Sequence, residues 1–85
     1  MALINGFTTF HGIIMNCIEA DIFRRMQRNI RRHVDNGYEN AAGYWLDQCD
    51  QYASGNEQKE RLSRLIRQDA TRRWNEKWHK QFRWS

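Results

Sequence analysis

Hydrophobic residues recur along three stretches of this chain at the three- and four-residue spacing that places side chains on one face of a helix. The last stretch is the clearest, because residues 57–85 contain neither Gly nor Pro. Its apolar residues follow one another at every fourth position: Leu62, Ile66, Ala70, Trp74, Trp78 and Phe82. This pattern predicts a long helix from about Glu57 to Arg83.

A constant spacing of four residues makes this apolar row wind around the helix. Each step of four overshoots a full turn by about 40°, so the row turns roughly halfway around the axis between Leu62 and Phe82. The two ends of the row therefore cannot face one flat neighbour. We expect either that the rest of the chain wraps around this helix, or that the aromatic half around Trp78 faces a second copy, a partner protein or a nucleic acid.

The first stretch keeps the three- or four-residue spacing over its whole length, and its predicted apolar stripe consists of Phe7, Phe10, Ile14, Ile18, Ile22, Met26, Ile30 and Val34. It predicts a helix from about Thr9 to Val34, after a short lead-in over residues 1–6, with a threonine hydroxyl as its N-terminal cap. Gly12 would lie in the first turns at a cost of about 1 kcal/mol relative to Ala, so a start near Ile13 is an alternative. Residues 12–17 are the best candidate for a strand, but they continue into the helical pattern.

A shorter middle helix is predicted from about Glu39 to Ala53, between the turn signals Asp35-Asn36-Gly37 and Ser54-Gly55-Asn56. Its apolar stripe alternates steps of four and three residues: Tyr38, Ala42, Trp45, Cys49 and Tyr52. Gly43 either weakens this helix or lets another helix approach closely. We therefore expect one all-α domain over residues 1–85, either a compact three-helix bundle or an open three-helix arrangement.

Charge is segregated along the chain, whose formal net charge is +4. No Lys or Arg occurs between Val34 and Gln58, whereas the helices on either side are rich in Arg. The acidic residues of this interval are Asp35, Glu39, Asp47, Asp50 and Glu57. An acidic helix between two basic ones predicts ion pairs between packed helices, worth about a few tenths of a kcal/mol each where they are exposed.

Length and composition exclude several classes of protein. A chain of 85 residues suits one small domain. No apolar run approaches the roughly 20 residues of a membrane span. The N-terminal stretch lacks the basic segment of a signal peptide, so we expect a cytoplasmic protein without membrane contact.

We also expect no catalysis, no cofactor and no metal. Cys17 and Cys49 lie on predicted apolar helix faces and should be reduced, structural residues. His11, His33 and His79 are too far apart in the sequence to form a metal-binding pair. The sequence lacks a nucleophile elbow, a Gly-rich phosphate loop and a carboxylate pair with an evident pocket.

The first candidate binding surface is a row of arginines on the first helix. The row contains Arg24, Arg25, Arg28, Arg31 and Arg32, opposite the apolar residues of the same helix. The planar guanidinium group suits phosphate, carboxylate and guanine edges, and neutralising phosphates releases counterions. The alternative is a solvated helix face, because basic runs are often only surface.

The second candidate is the C-terminal run in which cations alternate with aromatic rings. Its candidate contact residues are Arg72, Arg73, Lys77, Lys80, Arg83 and Trp84. Aromatic rings can stack on bases while the cations neutralise phosphates, and Trp and Arg are enriched in protein-binding hot spots. The alternative is that Trp74 and Trp78 pack inside the protein, which leaves Trp84 as the better exposed contact.

A third candidate is the turn at residues 52–56 before the last helix. A short Gly-containing turn between two helices is a feature of helix-turn-helix proteins, whose second helix contacts bases near its start. The polar residues at that position are Gln58, Lys59, Arg61, Ser63 and Arg64. Any helical hairpin needs such a turn, so this pattern alone does not identify a recognition helix.

Two function classes follow from these surfaces. The first is a nucleic-acid-binding accessory or regulatory protein. The second is a small inhibitor or adaptor, of the kind that phage-type mobile elements encode, which binds a host protein or nucleoprotein complex through its Arg/Trp-rich face. Both hypotheses use the same cations on an acidic partner, and both are compatible with a homodimer.

Overall fold

The computed structural model describes residues 6–84, so the lead-in predicted over residues 1–6 lies outside this part of the chain except for Gly6. A short β-hairpin precedes three helices within the described residues. The elements are β1 (Phe7–Phe10), β2 (Ile13–Asn16), α1 (Cys17–Asp35), α2 (Glu39–Ala53) and α3 (Glu57–Trp78). The mostly helical class is confirmed, but the all-α prediction is wrong in omitting the hairpin.

The hairpin occupies the segment that was predicted to form the first turns of the first helix. Phe10 pairs with Ile13 in antiparallel register, and only His11 and Gly12 lie between them. Both of these residues have positive φ, 53° and 76°. A two-residue loop with two positive φ angles matches the twist of the paired strands. Gly12 is therefore a turn residue, and the predicted helix start at Thr9 is wrong.

The start of α1 follows directly from the end of the second strand. Ile13 and Met15 of β2 point into the core and Ile14 points outward, as expected when side chains alternate along a strand. The Asn16 side chain then accepts hydrogen bonds from the backbone N–H groups of Ile18, at 2.8 Å, and Glu19, at 3.4 Å. Asn16 rather than a threonine thus caps the helix.

The buried face of α1 differs from the predicted apolar stripe. The residues that α1 buries are Ala20, Phe23, Gln27, Ile30 and Val34. Ile18 and Ile22, which the regular spacing placed in the core, lie on another side of the helix, and Ile18 is 73% exposed. The core uses small Ala20 and polar Gln27 in their place, so spacing alone did not identify the face.

Helix α2 has the predicted bounds and packs against both α1 and α3. Its buried residues are Ala42, Gly43, Leu46, Cys49 and Ala53. The sequence predicted that Gly43 either weakens the helix or lets another helix approach closely. A close approach does occur, but the group that lies against Gly43 is the indole ring of Trp84 and not another helix.

The predicted extension of α3 to Arg83 is wrong, because the helix ends at Trp78. His79 adopts the left-handed conformation, with φ 54°, and its N–H donates to the carbonyl of Asn75 at 2.9 Å. The chain then turns back, and the buried ring of Phe82 packs 5.3 Å from the ring of Trp74. Phe82 therefore reaches the core from the segment that follows α3. Helix α3 itself does not have to bury both ends of the winding apolar row.

The C-terminal aromatic residues have three different environments. Trp74 is buried in the core. Trp78 is 38% exposed, lies against Gly37, and donates its indole N–H to the carbonyl of Val34 at 2.9 Å. Trp84, which was predicted to be the exposed contact, packs on α2 over Gly43 and is 36% exposed. The face predicted to be buried is thus buried at Trp74 and only partly covered at Trp78.

Candidate functional site

Helices α1 and α3 are joined by a buried carboxylate that holds two arginines. The Asp69 side chain is 8% exposed and accepts two hydrogen bonds from Arg31, from Nε at 3.0 Å and from Nη2 at 3.1 Å. Arg72 Nη2 donates to the same carboxylate at 3.0 Å. Paired parallel bonds between a guanidinium and a carboxylate are strong and fix the side-chain orientation. Asp69 thus positions one arginine from each helix.

The electrostatics of this cluster keep the carboxylate charged. Burial disfavours ionised Asp69, but the hydrogen bonds and charge of Arg31, with contributions from Arg73 and Arg72, outweigh it and hold the pKa of Asp69 below its ordinary value. The hydrogen bond to Asp69 raises the pKa of Arg31, although burial opposes the rise. Arg31 therefore has a structural role, because removing one partner of a buried pair leaves an uncompensated charge.

An open groove of about 590 Å³ runs along α1 beside this carboxylate. Four arginines line it with the ring of Phe10: Arg24, Arg28, Arg31 and Arg32. The guanidinium carbon of Arg24 lies 5.1 Å from the centre of the Phe10 ring, a distance at which a cation and an aromatic face attract each other. The hairpin therefore supplies an aromatic wall of the groove, whereas the arginines of the groove come from α1.

The far end of the groove is also tied to α3. Asp35 lines the groove and its carboxylate lies 3.7 Å from Nη2 of Arg73. We call the joined surface the arginine seam; its members are Arg24, Arg28, Arg31, Arg32, Arg72 and Arg73. The seam combines part of the first predicted surface with part of the second.

The hairpin is held in place beside the seam by a contact with α1. The imidazole Nε2 of His11 lies 2.9 Å from the side-chain nitrogen of buried Gln27. The His11 ring also packs edge-on against Phe10, with centroids 4.6 Å apart. These contacts fix the turn of the hairpin and so set the position of the Phe10 ring in the groove.

Basic residues on the other side of α3 are neutralised within the fold. Arg67 contacts two carboxylates of α2, Asp47 at 3.6 Å and Asp50 at 2.7 Å. Ser63, from the start of α3, donates its hydroxyl to Asp50. The predicted complementarity between the acidic helix and a basic neighbour is therefore confirmed for Arg67.

The remaining predicted contact residues do not join the seam. Arg25 pairs with Asp21 at 3.0 Å one turn earlier on α1. Arg61 and Arg64 are exposed on α3, away from the groove. At the start of α3, Lys59 pairs with Glu19 of α1, so this residue of the proposed recognition helix is engaged within the fold.

The C-terminal cations are dispersed around the aromatic residues. The ammonium of Lys77 lies 5.7 Å from the Trp78 ring, and that of Lys80 lies 5.8 Å from the Trp74 ring. Arg83 bonds to Asn40 of α2 and, with Trp84, fixes the C-terminal segment to that helix. This segment thus makes intramolecular contacts, and it does not extend the seam.

Sequence reasoning missed Asp69 and Phe10, the two residues that shape the seam. Asp69 lies beside the apolar row, next to Ala70 and three residues after Ile66. An acid at the edge of an apolar stripe, followed by two arginines one turn later, was the available signal for a buried pair. Phe10 could be placed only after the hairpin turn was recognised.

The described residues contain neither a disulfide nor a cluster of metal ligands. Within residues 6–84, no cluster of three or more His, Cys, Asp or Glu side chains is arranged to hold a metal ion. Cys17 and Cys49 are free thiols, and burial raises the pKa of the Cys49 thiol. No helix in this part of the chain has both the length and the apolar character needed to cross a bilayer. Comparisons with protein-family models, curated proteins and solved structures gave no match.

Proposed function

We propose that the protein binds nucleic acid through the arginine seam, as a non-catalytic accessory or regulatory protein. The observation that supports this proposal is the way Asp69 orients Arg31 and Arg72 beside a groove that three further arginines line. A guanidinium held in place before binding loses less conformational freedom when it meets a ligand. The seam is therefore better suited to a polyanion than a set of freely rotating surface arginines would be.

The dimensions of the seam fit a nucleic-acid backbone. Arg24 and Arg32 are eight positions apart on α1, which is about 12 Å along a helix. Phosphates of one strand follow each other every ~3.4 Å along a duplex axis, so this length matches roughly three to four of them. Phosphate contacts of this kind position a protein on the backbone without reading sequence, so we expect little sequence preference.

Arg31 can contribute while it holds Asp69. Its Nε and Nη2 groups donate to the carboxylate, whereas Nη1 makes none of the hydrogen bonds found among the described residues and remains available to a phosphate. Arg72 contacts Asp69 through Nη2 and its side chain is 64% exposed. The same two residues can therefore support both the fold and binding, and a test should leave them intact.

The test compares two variants that lose the same number of positive charges. Arg24→Gln/Arg28→Gln/Arg32→Gln removes the three seam arginines that pair with neither Asp69 nor Asp35. Arg61→Gln/Arg64→Gln/Lys77→Gln removes three exposed cations elsewhere. Fluorescence anisotropy with random-sequence duplex and single-stranded DNA should show strong loss of affinity for the first variant and a small loss for the second.

Two outcomes would contradict the proposal. Equal losses in both variants would mean that overall charge, and not the seam, attracts the nucleic acid. A parent protein without measurable affinity at about 0.15 M salt would favour the alternative function, a small inhibitor or adaptor that uses the same arginines on an acidic host protein.

A further inference from the structure

Helix α1 carries a second apolar row on its outer side. Ile18, Ile22 and Met26 follow one another at intervals of four residues and lie apart from the buried face of the helix. Ile18 is 73% exposed, and the other two are partly exposed. The core is built on Phe23 and Ile30, and Met26 packs against its edge, so Ile18 is the member of the row that the fold covers least.

The row borders an open groove between two helices. Ile22 and Met26 of α1 and Trp45 of α2 line this groove, whose volume is about 350 Å³. Ile18 extends the apolar surface by one turn toward the start of α1. Contiguous apolar surface between helices is a common feature of sites where another helix packs.

Charge along the edge of the row is of both signs. Asp21 and Arg25 flank the row on the same side, 3.0 Å apart, with side chains 50% and 75% exposed. More broadly, the acids of α1 before Asp35 lie at its start, at Glu19 and Asp21, and its arginines come later. A uniformly acidic partner helix would meet Asp21 unfavourably, and a uniformly basic one would meet Arg25 unfavourably.

We propose that this surface binds a second copy of the chain, through antiparallel packing of α1 on α1 about a two-fold axis near Ile22. In such a pair the same flank of each helix meets, so Arg25 of each copy faces Asp21 of the other. Ile18 of each copy then lies near Met26 of the other, and the symmetry repeats every contact twice. The helix dipoles also run in opposite directions.

This dimer does not depend on nucleic-acid binding, but it has a consequence for the arginine seam. Arg28 and Arg32 lie on the side of α1 that also carries Asp21 and Arg25, at helical spacing. The two-fold axis therefore presents these arginines from both copies on one face of the dimer. Such a face would contact a longer segment of a polyanion than one copy can.

The test uses two charge variants and their mixture. Arg25→Asp makes both positions of the Asp21/Arg25 pair acidic, and Asp21→Arg makes both basic. In sedimentation velocity each variant alone should have a dissociation constant about tenfold higher than the parent, because the symmetry repeats each repulsive pair. An equimolar mixture should recover the parent's affinity as a heterodimer, because the acidic pair of positions on one copy then meets the basic pair on the other.

A third variant controls for effects on the fold. Ile18→Gln leaves the charges unchanged and alters a side chain that is 73% exposed. It should weaken the dimer at least as much as either charge variant while its thermal midpoint, measured on dilute monomer, stays that of the parent. A parent that remains monomeric at the highest accessible concentration would overturn the inference. So would a mixture of the two charge variants that dimerises no better than either alone.

Discussion

Replacing Gly43 by Ala should show whether the C-terminal segment packs on α2. A Cβ atom at this position would lie 2.3 Å from three atoms of the Trp84 ring, which is far closer than carbon atoms can approach. The backbone of Gly43 is helical, so Ala introduces no strain of its own. The ring of Trp84 must therefore leave α2 or the helix must shift.

The size of the effect follows from two opposing contributions. A Trp side chain covers roughly 150–250 Å². Because Trp84 is 36% exposed, its displacement loses at most about 4 kcal/mol of apolar burial. Replacing a helical Gly with Ala gains about 1 kcal/mol. We expect Gly43→Ala to destabilise the parent by about 1–2 kcal/mol.

A double-mutant cycle separates these contributions. In a Trp84→Ala background the clash is absent, so Gly43→Ala should stabilise the protein by about 0.5–1 kcal/mol. The free energies of unfolding are measured by urea denaturation of all four proteins. If Gly43→Ala has the same effect with and without Trp84, the ring does not pack on this glycine and the placement of the C-terminal segment is wrong.

Three further substitutions test the core and the buried pair. Trp74→Ala should cost about 3–5 kcal/mol, and Trp78→Ala clearly less because Trp78 is 38% exposed; equal losses on denaturation would contradict the placement of the two rings. Asp69→Asn should lower the free energy of unfolding at neutral pH. Because the fold lowers the pKa of Asp69, the ionised carboxylate stabilises the protein at higher pH, and this stabilisation is lost as the pH falls below the ordinary carboxyl pKa of 3.8. The deficit of the variant should therefore shrink in acid, and an equal deficit at about pH 2 would contradict this reasoning. A thiol reagent should label Cys17 before Cys49, which is buried and has a raised pKa; the reverse order would contradict their burial.

The sequence predicted those helix boundaries that local turn residues determine. The bounds of α2 are correct because glycine-containing turns precede and follow an uninterrupted apolar stripe. The start of α1 was missed because residues 7–16 fit both a helical spacing and a strand alternation. The decisive feature was the pair His11-Gly12, which supports a two-residue turn only when both residues take positive φ.

The end of α3 could not be read from its spacing. Phe82 fits the every-fourth pattern, but it reaches the core after the chain has reversed at His79, a non-glycine residue in the left-handed conformation. Positive φ is uncommon for any non-glycine residue, although His adopts it more often than most, so the residue type alone does not predict the reversal. The reversal brings Phe82 onto Trp74 and Trp84 onto Gly43, so tertiary contacts decide where the helix stops.

The candidate site was predictable in its parts but not in its assembly. The arginine row on α1 follows from the sequence, and Arg72 and Arg73 were expected to contact a partner. Arg31 and Arg72 meet at Asp69 because α1 and α3 pack against each other. The spacing of residues along the sequence does not predict how two helices pack. The same packing shows that Arg31 holds a buried carboxylate, so we expect its replacement to destabilise the fold.

The salt dependence of duplex binding tests the central claim most directly. The slope of log affinity against log salt changes by about 0.9 for each phosphate contact on duplex DNA. The variant Arg24→Gln/Arg28→Gln/Arg32→Gln should therefore have a slope shallower than the parent's by about 2.7, similarly across sequences. A folded variant whose slope and affinity equal those of the parent would show that the arginine seam does not hold phosphates.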